Sequence, residues 1–141
     1  MNDKIIDSLK AFRAGDDEAA MTTLLEAEEE LVPALVEAFG QETDPEVRAF
    51  LVTVAWERRE EQSPAFIVEA LNDPEEEVWQ AALDGMVALA STEILDVLKS
   101  SRLQPRPDAA KTKRFQMCVE EAILYVEGLV QANFVPPAIK R

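Results

Sequence analysis

The chain has 141 residues, of which 48% are hydrophobic, with 28 acidic against 14 basic side chains, no histidine and a formal charge of −14. That is one domain's worth of chain with enough apolar material for a continuous core. The negative charge argues against direct binding to nucleic acid or to an anionic membrane, because both need a basic face. The lack of histidine removes the commonest general base and metal ligand.

The charge is uneven. Residues 1–102 hold 24 of the acids and 8 of the bases, so the acidity precedes a mildly basic C-terminal quarter. Cys118 is the only cysteine and cannot form an internal disulfide, which points to a reducing compartment. The N-terminal residues break their short apolar pieces with charge and do not read as a signal peptide, and no apolar run reaches the ~18 residues of a membrane helix. The expectation is a cytoplasmic, monomeric protein without a cofactor.

Apolar residues recur at helical spacing almost throughout. Residues 3–15 place Ile5, Ile6, Leu9 and Phe12 on one stripe, with Asp3 as the expected N-cap and Gly15 as terminator. Residues 16–30 form a second helix with acids in its first turn and a stripe of Ala20, Met21, Leu24 and Leu25. Pro33 places a break near 30–32, and a short helix runs to Gly40, its expected terminator. Asp44 and Pro45 then cap and open a helix that buries Val47, Phe50, Leu51, Val54 and Ala55.

Ser63 and Pro64 restart the pattern, and Asp73 with Pro74 is expected to cap the next helix. That helix carries Val78, Trp79, Ala82, Leu83, Met86 and Leu89. Ser91 or Thr92 caps another short helix. Two prolines force a loop over 102–107, and residues 108–133 form the longest helix, with Phe115, Cys118, Val119, Ala122, Val126 and Leu129 inward. Pro136 and Pro137 set residues 134–141 apart as a tail.

Two stretches repeat. PALVEAF (33–39) matches PAFIVEAL (64–71), and the helices that follow, from Val47 and Val78, match at the same offset of 31 or 32 residues. A repeated helix pair at this period means an all-α architecture, an α-solenoid of three to four antiparallel helix pairs. The clearest repeats are 31–60 and 63–90; a divergent pair covers 91–133, and the whole is one domain over 1–133.

The phrase Asp44, Pro45, Val47, Arg48, followed by Asp73, Pro74, Val78, Ala81, Ala82 and Leu89, resembles the short HEAT-like repeats of phycobilisome lyases. In that family the arginine after the valine often pairs with a neighbouring turn aspartate. Here Trp79 stands at the second arginine position, so the resemblance implies an interrupted ladder. It also implies that the second helix of each pair lines a concave face.

On that face the helical wheel places Arg48, Thr53 and Glu57, then Glu77, Gln80 and Asp84 beside Trp79, then Gln116 and Glu120. This row is the expected binding surface for a basic partner protein. Trp56 lies one position past the stripe, packed against the next repeat or shown on the inner face. Cys118 reads as a buried, inert thiol. The acidic triplets at 16–18, 28–30 and 75–77 splay by ~100° per residue and do not converge on one ion. The basic residues Arg106, Lys111, Lys113 and Arg114 read as neutralising the acidic body or as a rim contact.

The function expected is a non-enzymatic interaction module. An immunity protein or antitoxin against a nuclease-type toxin, or a small assembly or secretion chaperone, is a sharper version. A bilin-lyase-like enzyme is the rival, with Asp84, Glu120 and Tyr125 as its only conceivable acids.

Overall fold

The structure is a computed structural model describing residues 2–132 and Ile139. Among these residues the chain forms eight helices and no strand: α1 (Asp3–Arg13), α2 (Asp17–Leu25), α3 (Val32–Gln41), α4 (Pro45–Arg58), α5 (Ser63–Ala70), α6 (Glu76–Ala88), α7 (Thr92–Ser101) and α8 (Ala109–Gln131). Consecutive helices make four pairs. The second members lie side by side in the order α2, α4, α6, α8, while α1, α3, α5 and α7 pack on their own partners. This is the expected α-solenoid.

Local chemistry sets most helix starts. Side chains of Asp16, Asp44, Ser91 and Asp108 accept hydrogen bonds from amides of the first turn of α2, α4, α7 and α8. Gly15 takes the left-handed conformation after α1, with φ +88°. Other expected boundaries move. Asn2, not Asp3, caps α1, accepting from Lys4 and Ile5. The second helix ends at Leu25 rather than at 30, and the glutamates that follow form a loop. Gly40 lies inside α3.

The Asp44 and Asp73 turns differ in one respect. Asp44 and Asp73 each accept from the amide two residues on. After Asp44 the helix begins at once, at Pro45; after Asp73 it begins only at Glu76, with Glu75 at the N-cap position. The extra acidic residues lengthen the second turn, and the Asp73 carboxylate is left to reach outside its own helix.

The apolar stripes meet in one core. Ile5, Leu24, Leu35, Leu51, Ile67, Val78, Met86, Leu98 and Phe115 are fully or almost fully excluded from water. Between α4 and α6 the contact is tight: a Cβ on Gly85 would lie 2.6 Å from Trp56 Cδ1. Trp56 therefore packs against the next repeat. The expected tail over 134–141 lies outside the described residues except for Ile139, half-buried beside Pro64, Val68, Ile94 and Val97.

A polar cluster joins the first pair to the second. Arg58, at the end of α4 and 5% exposed, donates to the carbonyls of Leu24, Ala27 and Glu29 and to the carboxylate of Glu60. Glu60, also 5% exposed, accepts from the amides of Leu31 and Val32 at the start of α3. Ser63 does not cap α5. Its buried hydroxyl donates to the Ala55 carbonyl and accepts from the Glu60 amide. Arg59, at φ +50°, makes the sharp reversal that turns Glu60 inward.

Burial opposes charge on Glu60, but the two amides and Arg58 outweigh it and hold the carboxyl below the ordinary glutamate value of 4.5. Glu60→Gln leaves Arg58 buried without its counter-charge and is expected to cost about 3 kcal/mol in urea unfolding. Because the folded pKa is the lower one, the Glu60 contribution is complete above the unfolded pKa and lost as pH falls through the folded one. The wild type is expected to lose more stability than Glu60→Gln as pH drops below about 4.5.

Candidate functional site

The layer formed by α2, α4, α6 and α8 opens between its last two helices. Gln80, Leu83, Asp84 and Val87 recur at intervals of three and four along α6, and Cys118, Glu121, Ala122 and Tyr125 do the same along α8. The two faces enclose a groove of about 240 Å³ with apolar walls and carboxylates at its edges. None of its lining residues is basic. Asp84 and Glu121 form no ion pair among the described residues. Asp84 is exposed at the groove, and partial desolvation against its walls pushes the carboxyl pKa above the usual 3.8.

The expected binding row divides. Gln80 and Asp84 line the groove, and Gln80 Nε2 donates to Cys118 Sγ at 3.5 Å. Glu57 and Glu77 are exposed on α4 and α6, with Glu77 one turn before Gln80. Thr53 is half-buried, and its hydroxyl donates back to the Ala49 carbonyl. Gln116 is half-buried outside the groove lining. Glu120 faces Arg102, 3.3 Å away at the end of α7, so its neighbour Glu121 takes the groove position. Cys118 is half-buried beside Gln80 rather than sealed in the core. The expected stripe otherwise holds: Phe115, Val119, Ala122 and Val126 are buried, while Cys118 and Leu129 lie half-buried at its margin.

Two members of the row serve the fold instead. Trp79 is 3% exposed and meets Phe115 edge to face, with ring centroids 5.1 Å apart, so it is not a surface aromatic. Arg48 is the ladder arginine: its guanidinium lies 3.9 Å from the Phe39 ring centroid and donates to Asp73 Oδ2 at 2.5 Å. The ladder therefore crosses from the second pair to the third.

The rung that Trp79 lacks comes from the loop before α8. Arg106 donates to the carbonyls of Leu71 and Asp73, both at 2.6 Å, and stacks 3.7 Å from the Phe115 ring centroid. Leu71 occupies the repeat position of Phe39, whose carbonyl accepts from Arg48. Arg106 thus reproduces the arginine of the previous repeat from a different part of the chain. Burial lowers its pKa, partly offset by Asp73. Arg114 ion-pairs with Glu76 at 2.6 Å, leaving Lys111 and Lys113 exposed at the start of α8.

Among the described residues no group of three or more Cys, Asp or Glu side chains is placed to hold a metal ion. None of the described helices is long and apolar enough to cross a membrane. The family model for HEAT repeats matches residues 32–114, from α3 into the first turns of α8. No curated protein and no solved structure matches the chain.

Arg106→Met removes two charge-assisted hydrogen bonds to carbonyls and is expected to cost roughly 2 kcal/mol, with hydrogen exchange rising first in α7 and α8. Asp84→Asn is expected to act in the opposite direction. Since the folded pKa of Asp84 is raised, ionisation penalises the folded state as pH climbs past the unfolded value, and the penalty is complete above the folded one. Melting scans are expected to show a higher Tm for Asp84→Asn at about pH 7 and no difference at about pH 3.

Proposed function

Because the chain belongs to the HEAT repeat family, we propose that it is a non-enzymatic protein-interaction module that receives a basic partner protein on its acidic inner face. HEAT repeats generally mediate contacts between proteins and are typically not enzymes. The observation that carries the finer reading is the charge of the α6–α8 groove. Asp84 and Glu121 edge it, and the chain supplies no cation to its lining.

Exposed Glu77, and Glu57 on the preceding inner helix, extend the same sign of charge beyond the groove. A basic partner approaching this face is steered by long-range attraction, which added salt screens over ~8 Å at physiological ionic strength. Neutralising a nuclease-type toxin and chaperoning a basic cargo are both uses of such a wall.

The test is affinity capture from lysate at low and high salt, comparing wild type with a Glu57→Lys/Glu77→Lys/Asp84→Lys variant of unchanged circular dichroism. A basic protein is expected on the wild type at low salt, weakened by salt and at least tenfold depleted on the variant. Equal capture by both proteins would place the interface elsewhere.

A further inference from the structure

We infer that the α6–α8 groove seats an arginine side chain of the basic partner, an inference that rests on the proposed role of the inner face. The molecule shows twice how it holds a guanidinium against an aromatic ring. Arg48 lies over the Phe39 ring with the Asp73 carboxylate at its edge. Arg106 lies over the Phe115 ring with two carbonyl oxygens at its edge. Each seat combines one aromatic face with oxygen acceptors, and each is filled from within the chain.

The groove brings the same parts together. Tyr125 supplies a ring that is 62% exposed, and Asp84 and Glu121 supply carboxylates free of ion pairs among the described residues. Leu83 and Val87 provide apolar surface for a methylene stem. The volume of about 240 Å³ is below the ~300–1,000 Å³ usual for small-molecule sites and suits one long side chain.

Arginine fits better than lysine. Its planar fork presents donors to more than one acceptor while its face stacks on tyrosine, whereas an ammonium is a compact, strongly hydrated charge. The cations of α8 adjoin the groove without lining it: Arg114 is held by Glu76, and Lys111 and Lys113 line the neighbouring hollow, which shares Cys118 and Glu121 with the groove.

Cys118 offers a direct reporter, since it lines the groove and is the only cysteine in the chain. The probes are a capped oligoarginine peptide and its isosteric citrulline counterpart. Binding is measured by calorimetry at low salt, and groove occupancy by the rate at which iodoacetamide alkylates Cys118. At saturation the arginine peptide is expected to slow alkylation roughly fivefold and the citrulline peptide to leave it unchanged. Asp84→Asn/Glu121→Gln is expected to weaken peptide binding roughly tenfold while melting no lower than wild type.

Peptide that binds without protecting Cys118, or that binds the double variant equally well, overturns the arginine seat while the acidic-face reading stands. Absence of any oligoarginine binding at low salt overturns both.

Discussion

Short helices bury their ends, and buried ends leave carbonyls and amides that something must satisfy. Three guanidinium groups meet much of that demand, one at each junction between helix pairs. Arg58 gathers the carbonyls of the α2–α3 turn for the first junction, Arg48 binds Asp73 and the Phe39 carbonyl at the second, and Arg106 binds Leu71 and Asp73 at the third. Hydrophobic stripes bring the pairs together without direction; these arginines fix how far each pair is rotated on the next. Arginine suits the task because one planar group reaches several acceptors from different elements at once.

The three junctions are built differently. At the first, Arg58 is balanced by Glu60, whose carboxylate also satisfies the start of α3, so the polar groups close on themselves inside the core. At the second the counter-charge is an aspartate delayed from its own helix by a longer turn. At the third the cation is hydrogen-bonded to carbonyls alone and lies against the Phe115 and Trp79 rings, with Asp73 supplying counter-charge without a side-chain hydrogen bond. All three arginines are thus engaged within the fold.

What could be read from the sequence was whatever is local. Asp44 and Pro45 mark a helix start by their own chemistry, and the 31-residue echo at Val78 shows that the pattern is stacked. The core of α4 and α6 follows from spacing alone. Long-range pairings left no such trace. Arg58 and Glu60 stand two residues apart in a run of charges that reads as ordinary surface, and only the reversal at Arg59 sends both inward. Arg106 sits 27 residues past the position it replaces, in a loop whose return path is set by tertiary packing. On α8 the spacing set the rotation, with Phe115, Val119, Ala122 and Val126 inward, and missed only its margins: Cys118 and Leu129 are half-buried and Ile123 is buried. Met117, Leu124 and Tyr125 are exposed, so apolar character alone does not say which residues at the edge of the stripe face water.

The close approach of Gly85 to Trp56 bears on mechanics. Where an indole lies against bare backbone, α4 and α6 have no slack for sliding or tilting, and that seam behaves as a welded plate. The next seam, between α6 and α8, is closed at one end by the Trp79–Phe115 ring pair and the Arg114–Glu76 ion pair and parted farther along by the groove. Bending stiffness is therefore concentrated at the α4–α6 seam in the middle of the stack, and the more sparsely packed seams on either side are the compliant leaves. A load applied along the stack opens these outer seams before the central one, and the gap between α6 and α8 is one of the two places that yield.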